Sequence, residues 1–250
     1  MLKKIETKTK FRRILTSLSL VLLLGVLSAC SATPDGEVYD PAENINRGIF
    51  KFNDAVDTAV MEPVARGYRN VVPDPARTGV RNVLRNLKTP TILANNVLQA
   101  DANGAGDTIT RFFANTLFGF GGLMDVAGKH GVPYREEDFG QTLGVWGAKP
   151  GAYLVLPLLG PSSVRDASGL VVDSYTDPLR LWLMNTDRAG WYYGKVAVGA
   201  VDKREELLDV LADLKKNSID YYAAVRSSYV QRRAALIHGS TESQNLPDIP

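Results

Sequence analysis

Cysteine and histidine are nearly absent from this sequence. Its 250 residues include one cysteine, Cys30, and two histidines, His130 and His238. A lone cysteine cannot close a disulfide within its own chain, and no Cys/His set with zinc-ligand spacing can be assembled. Neither histidine stands in an H-E-x-x-H pattern, so no metal is expected; His238, just before Gly239, reads as a cation at a helix end. Serine chemistry also lacks its frame. Gly160-Pro161-Ser162-Ser163 misses the second glycine of G-x-S-x-G and reads instead as a helix N-cap. The glycines of "LFGFGGLMD" follow no strand pattern and carry no Lys-Ser/Thr pair, so they make no phosphate loop. The acids Glu136, Glu137 and Asp138 are of the type glycosidases use, but as a run they read as a solvated loop. No catalytic residue, no cofactor and no enzymatic activity are expected.

Long apolar runs are scarce too. Residues 14–26, "ILTSLSLVLLLGV", follow "MLKKIETKTKFRR", which carries six Lys/Arg and one Glu. Thirteen helical residues reach only ~20 Å against a hydrocarbon core of ~30 Å, so the segment reads as a secretory signal and not as a membrane span. Leu27-Ser28-Ala29-Cys30 resembles the lipobox of bacterial lipoproteins, in which the cysteine is acylated and becomes the first residue after cleavage. Three acyl chains at ~0.8 kcal/mol per buried CH₂ make such an anchor practically permanent. The next residue is Ser31 and not Asp, which, by resemblance to lipoprotein sorting in enteric bacteria, favours the outer membrane. Residues 1–29 are thus read as a signal peptide and 30–39 as a lipidated tether. Residues 40–238 are read as one helical domain and 239–250 as a polar tail.

Positive charge is a property of the signal alone. The formal total is +2, and residues 1–29 carry a net +5, leaving about −3 on the remainder. A net-acidic body argues against a nucleic-acid partner.

Period-2 alternation is rare and helix signals dominate. Asp40-Pro41-Ala42-Glu43 predicts an N-cap at Asp40, with Ile45, Ile49, Phe52 and Val56 along one apolar face. Asp74-Pro75 predicts a second helix, with Arg77, Arg81, Arg85 and Lys88 in a stripe beside an apolar one. Thr89-Pro90 predicts the start of a third helix, and Asp107–Leu117 a fourth that the following glycines stop. Further helices are expected over 162–176, 178–185, 202–216 and 219–237. The best strand is Tyr153–Leu156, ending at Pro157, and Glu137–Trp146 reads as ordered loop. The fold class is mainly α.

Six strings in order resemble the VacJ/MlaA family of outer-membrane lipoproteins. They are "DPAENINRGIFKFND", "PVARGYRNVVPDPARTGVRNVLRNLKTP", "NNVLQAD", "TRFFANTLFGFGGLMDVA", "EDFGQTLGVWG" and "GAYLVLPLLGPSSVRDASG". They run from about Asp40, with the lipobox in its expected place. The resemblance implies a ring of amphipathic helices with ordered Gly/Pro-rich loops, lying in the inner leaflet on the periplasmic side of the outer membrane. A passage would run through its middle. It implies removal of misplaced phospholipid from the outer leaflet, association with porin trimers, and hand-over to a periplasmic, MlaC-like carrier. A lipoprotein that only scaffolds porins or cell wall is the alternative, and a tethered hydrolase a third reading.

Within that frame Asn46, Arg47, Phe52 and Asn53 are candidates for the passage wall, although Phe52 would equally suit a core. Leu156, Pro157, Gly160 and Pro161 belong either to a buried connector or to a loop bordering the passage. The Arg77/Arg81/Arg85/Lys88 stripe is either a solvated face or a contact for lipid phosphate or porin carboxylates. Tyr221, Tyr222, Arg226, Tyr229, Arg232 and Arg233 suit an interface or a solvated helix end.

Overall fold

Backbone hydrogen bonding organises residues 38–242, the part of the chain that the computed structural model describes, into helices and one hairpin. Helix α1 (Glu43–Val56) continues through one turn of π-helix, Asp57–Met61, into α2 (Glu62–Val71). Its N-cap is Ala42, not Asp40. The Asp40 carboxylate is drawn inward instead, accepting from Asn46 Nδ2 at 2.7 Å, from the Tyr222 hydroxyl and from Arg226 Nη1.

Helix α3 spans Asp74–Leu98 without a break, so Thr89-Pro90 does not begin a new helix. Pro90 removes one backbone donor, which in isolation costs about 3 kcal/mol. Its ring points outward, while Asn86 and Thr89 on the buried side are held by the packing of α4. Helix α4 (Ala102–Leu117) starts five residues earlier than its periodicity suggested, because Asp101 caps it by accepting from the Gly104 amide at 2.9 Å. The turn after it needs left-handed backbone at Phe120, Gly121 and Gly122. A short α5 (Val126–Lys129) follows.

Asp138 caps α6 (Phe139–Val145), so most of Glu137–Trp146 is helix and not loop. Gly140 of this helix is met closely by Gly169, which serves proximity and not an unusual φ: a Cβ on Gly169 would lie 2.2 Å from the Gly140 amide nitrogen. Strands β1 (Tyr153–Leu156) and β2 (Gly160–Ser163) pair antiparallel, with Tyr153 opposite Ser163 and Leu156 opposite Gly160. Ser163 caps α7 (Val164–Thr176), and Asp177 caps α8 (Pro178–Asn185). Helix α9 (Ala189–Glu206) was not foreseen before residue 202. The chain breaks at Leu207 into α10 (Leu208–Asn217), so 202–216 is not one helix. Helix α11 (Tyr221–Glu242) runs past Gly239, and His238 is therefore not at its end.

A small aromatic core, Tyr153, Val155 and Tyr222 with Ile49, Phe50 and Tyr229 against it, joins the hairpin to α1 and α11. Elsewhere the interior is polar. Among the described residues sixteen polar or charged side chains are buried, against eight apolar or aromatic ones, which inverts the usual preference. Large apolar residues line the outside instead, including Leu117, Phe118, Phe120, Trp182 and Trp191. Half of the expected apolar face of α1 belongs to this exterior, while Ile49 packs on the core. Ile45 is 67% and Phe52 54% exposed, while Asn46 is the buried residue of the helix. Phe52 is not core. No helix among the described residues is long and apolar enough to cross a membrane.

Candidate functional site: a charged central cavity and its hairpin

Helices α3, α7, α9 and α11, with β2 and the segment from Tyr134 to Asp138 that leads into α6, surround a cavity of about 680 Å³. Its lining is charged to an extent that an ordinary core would not tolerate. Six Lys/Arg and seven Asp/Glu side chains face it, beside apolar Leu84, Leu170 and Val196. Most of these charges are paired across elements. Lys88 Nζ meets Glu136 at 2.6 Å, Arg81 meets Asp202 at 3.2 Å and Glu205 at 3.1 Å, and Lys195 meets Asp177 at 3.3 Å. Lys203 meets Glu206 at 2.8 Å. Arg233 of α11 bridges Asp138 (2.6 Å) and Asp166 (2.9 Å), tying α11 to the caps and first turns of α6 and α7.

Charge moves protons accordingly. Lys88 holds the Glu136 carboxyl below its ordinary value, against the opposing effect of burial. Burial alone would raise Asp166, but hydrogen bonds from Arg165, Tyr229 and Arg233 bring it below the usual carboxylate range. Asp173 moves the other way: burial raises it, and neighbouring Asp138 adds to the rise.

Behind this wall, Asn95, Gln99, Glu137, Gln141 and Thr142 form a buried network. Glu137 accepts from Gln99 at 3.0 Å and from Gln141 at 3.2 Å, while both glutamines keep an amide oxygen without a donor. Burial raises the Glu137 pKa, only partly offset by the Gln99 bond. A raised carboxyl contributes stability below its unfolded value near 4.5 and loses it as pH rises through its folded value. Glu137→Gln is therefore expected to raise stability at pH 7.5 by about 1 kcal/mol, with the advantage gone near pH 4. Thermal melts of both proteins at the two pH values check this, and equal melting at pH 7.5 would refute it.

Of the foreseen residues, Arg81, Arg85, Lys88 and Pro161 line the cavity. Arg77 does not. Its guanidinium turns to the α2–α3 corner, donating to the Arg69 carbonyl at 2.6 Å and pairing with Asp74. The stripe is not a solvated face either, since Arg77 and Arg81 reach Glu205, which is 5% exposed. Cys30 lies outside the described residues.

Asn46 and Asn53 share a task that their positions alone did not reveal. Asn46 Nδ2 donates to the Tyr153 carbonyl at 3.0 Å, and its Oδ1 accepts from the Val155 amide at 2.9 Å. Seven residues later, on the same face of α1, Asn53 Nδ2 donates to the Leu156 carbonyl at 2.9 Å. Its Oδ1 accepts from the Leu158 amide at 2.8 Å. Two side-chain amides thus provide partners that a third strand would otherwise supply. Arg47 sits beside them, pairing with Glu43 at 2.7 Å and Asp220 at 2.5 Å over the Tyr222 ring. That pairing brings the Asp220 pKa down to about 2.

The hairpin is no buried connector. Pro157, Leu158 and Leu159 stand out from it, with Leu158 69% exposed and held at φ +62°. Leu156 is half-buried, and Gly160 takes the left-handed φ of +84° that starts β2. Sequence reasoning missed Arg233 as a clamp; one face of α11, carrying Tyr222, Arg226, Tyr229 and Arg233, turns inward, while Arg232 is exposed.

Comparison with known proteins bears on the same elements. The sequence model of the MlaA lipoprotein family matches residues 38–236. The chain is 36% identical over 231 residues to the intermembrane phospholipid transport system lipoprotein MlaA of Escherichia coli, covering 90% of this chain and 89% of that one. It is 32% identical to the protein of the same name from Haemophilus influenzae, over 96% and 97% of the two chains. An uncharacterised protein of Rickettsia felis is 37% identical over 80% of this chain and 79% of its own. A solved structure described as the structural basis for maintenance of bacterial outer membrane lipid asymmetry superposes with a TM-score of 0.69 at 37% identity, covering 79% of this chain and 98% of that one. By sequence and by fold, this chain belongs to the MlaA lipoprotein family.

Proposed function

We propose that this chain is an outer-membrane lipoprotein that removes phospholipid misplaced in the outer leaflet and passes it to a periplasmic, MlaC-like carrier, preserving the asymmetry of the membrane. Its relatives carry phospholipid transport in their names. One observation supports the reading most: polarity is reversed, with charge inside and large apolar side chains outside. Polar groups are tolerated at membrane depth where they line a cavity and not where they face lipid tails. The ring then lies in the inner leaflet with its apolar exterior against acyl chains, and the cavity gives a headgroup a polar path. Acyl chains on Cys30, after removal of residues 1–29, hold it there, with 30–39 as the tether. The projecting turn Pro157–Leu159, fixed by Asn53, borders the passage. Porin trimers are the neighbours through which outer-leaflet lipid reaches it.

The test is outer-leaflet phospholipid in cells lacking the protein, complemented by wild type or by Cys30→Ala. Phospholipid is expected to accumulate in the deletion and to be cleared by the lipidated form only. An unchanged outer leaflet in the deletion would leave a scaffold for porins or cell wall as the better reading.

A further inference from the structure

The charges around the cavity do not cancel evenly. Five of its six cations are engaged in the close ion pairs described above, leaving Arg85 as the exception. Among the described residues its one charged partner is Glu206, at 3.8 Å, beyond hydrogen-bonding distance. Its guanidinium lies 4.8 Å from the centre of the Tyr134 ring, an attraction that uses none of its N–H donors in a hydrogen bond. The side chain is 36% exposed, and both it and Tyr134 line the cavity. The Arg111 guanidinium also lies near the Tyr134 ring, 5.5 Å from its centre.

The carboxylates have an exception as well. Asp173 faces the cavity and accepts from the Phe139 amide at 2.8 Å and from Asn95 at 3.1 Å, both neutral donors. No Lys or Arg among the described residues stands within 4 Å of it. Six cations against seven carboxylates leave the cavity with a formal charge of −1. A guest with a net negative charge adds to that excess, whereas a zwitterion does not. In a partly dehydrated space such a difference is weakly screened.

We propose that Arg85 is the contact for the phosphodiester of a phospholipid in the cavity, and that the cavity's carboxylate excess, centred on Asp173, selects zwitterionic over anionic headgroups. This rests on the cavity being a phospholipid passage and adds to it a named contact and a headgroup class. An arginine edge matches phosphate oxygens with two parallel hydrogen bonds. Arg81, Lys88, Lys195, Lys203 and Arg233 would first have to give up a carboxylate. Leu84, Leu170 and Val196 give the acyl chains an apolar strip beside that contact, which a soluble phosphodiester has no use for. Asp173 acts through its field and not by touching the guest.

Purified lipidated protein in nanodiscs of equimolar phosphatidylethanolamine and phosphatidylglycerol provides the test, with bound lipid counted by native mass spectrometry. Wild type is expected to hold phosphatidylethanolamine in about threefold excess. Arg85→Gln is expected to lower bound phospholipid of both kinds about tenfold, and Arg85→Lys to recover part of it. Asp173→Asn keeps an acceptor for the Phe139 amide, so total occupancy should hold while the headgroup ratio moves toward one. Arg66→Gln, on the exposed face of α2, should match wild type. Normal occupancy in Arg85→Gln, or a preference for phosphatidylglycerol in the wild type, overturns the proposal while leaving the passage intact. No phospholipid bound to the wild type overturns the passage itself. Displacement of lipid by glycerophosphoethanolamine, which has the headgroup without tails, would assign the contact to a soluble phosphodiester.

Discussion

Replacing Arg233 by methionine is expected to cost about 3 kcal/mol, enough to lower the melting temperature by roughly 10 °C. The side chain holds three elements at one point, since α11 supplies it and Asp138 and Asp166 sit at the starts of α6 and α7. Without it Asp138 keeps only its capping bond to the Gln141 amide and has no cation. Asp166 retains Arg165 at 2.9 Å and the Tyr229 hydroxyl, so most of the loss falls on Asp138. Arg233→Met with Asp138→Asn should recover part of the deficit, because the amide keeps the cap and removes the stranded charge. The part of the deficit that falls on Asp166 should also depend on pH. A carboxyl whose folded pKa is depressed, as for Asp166, contributes stability above its unfolded value near 3.8 and loses it as pH falls through the folded one. The difference between wild type and Arg233→Met is thus expected to shrink below about pH 4. Thermal unfolding in detergent, followed by circular dichroism, measures all three proteins. A deficit under ~1 kcal/mol at pH 7 would mean that the clamp is ornamental.

Asn46→Leu should be nearly as damaging, for a different reason. The two side chains are similar in size, but leucine offers nothing to the Tyr153 carbonyl or to the Val155 amide. Both groups belong to residues that are 2% exposed. Each stranded backbone group costs about 1–3 kcal/mol, so about 3 kcal/mol in total is expected. Hydrogen exchange distinguishes this from a general loss of stability. The Val155 amide should exchange at least a hundredfold faster, while Leu158, still held by Asn53, changes far less. Asn53→Leu should show the converse, freeing Leu158 at the exposed turn with a smaller effect on melting. Uniform acceleration in both variants would show that the two asparagines do not act on separate parts of the hairpin.

Local signals in the sequence were readable where they depend on the backbone alone. Asp177-Pro178 and Ser163 cap helices as their chemistry suggests, and Tyr153–Leu156 is a strand that stops at Pro157. Asp138-Phe139-Gly140-Gln141 carried the same kind of cap and was overlooked because glycines follow it. The errors of a second kind concern helix faces. Helical periodicity grouped Ile45, Ile49, Phe52 and Val56 on one face of α1, but only Ile49 packs on the core; Ile45 and Phe52 are exposed, and the buried residue of the helix is Asn46. Helix α9 escaped notice for a related reason. Exposed apolar side chains on it include Trp191, Tyr193 and Val198, while Val196 faces the cavity, so it shows little of the contrast that an amphipathic surface helix has. Arg233 left no signal at all. Its partners lie 67 and 95 residues away, and nothing in a linear reading of Arg/Tyr-rich α11 distinguishes a clamp from a wet helix end.

The outward placement of Leu117, Phe118, Phe120, Trp182 and Trp191 also bears on the life of the chain before it reaches a bilayer. A surface of that composition in aqueous surroundings promotes self-association. Newly exported molecules would adhere to one another unless an escort masks that surface between the two membranes. The acyl groups of the anchor would require shielding during the same transit, so one carrier able to cover both would deliver the protein with its exterior still free to meet lipid.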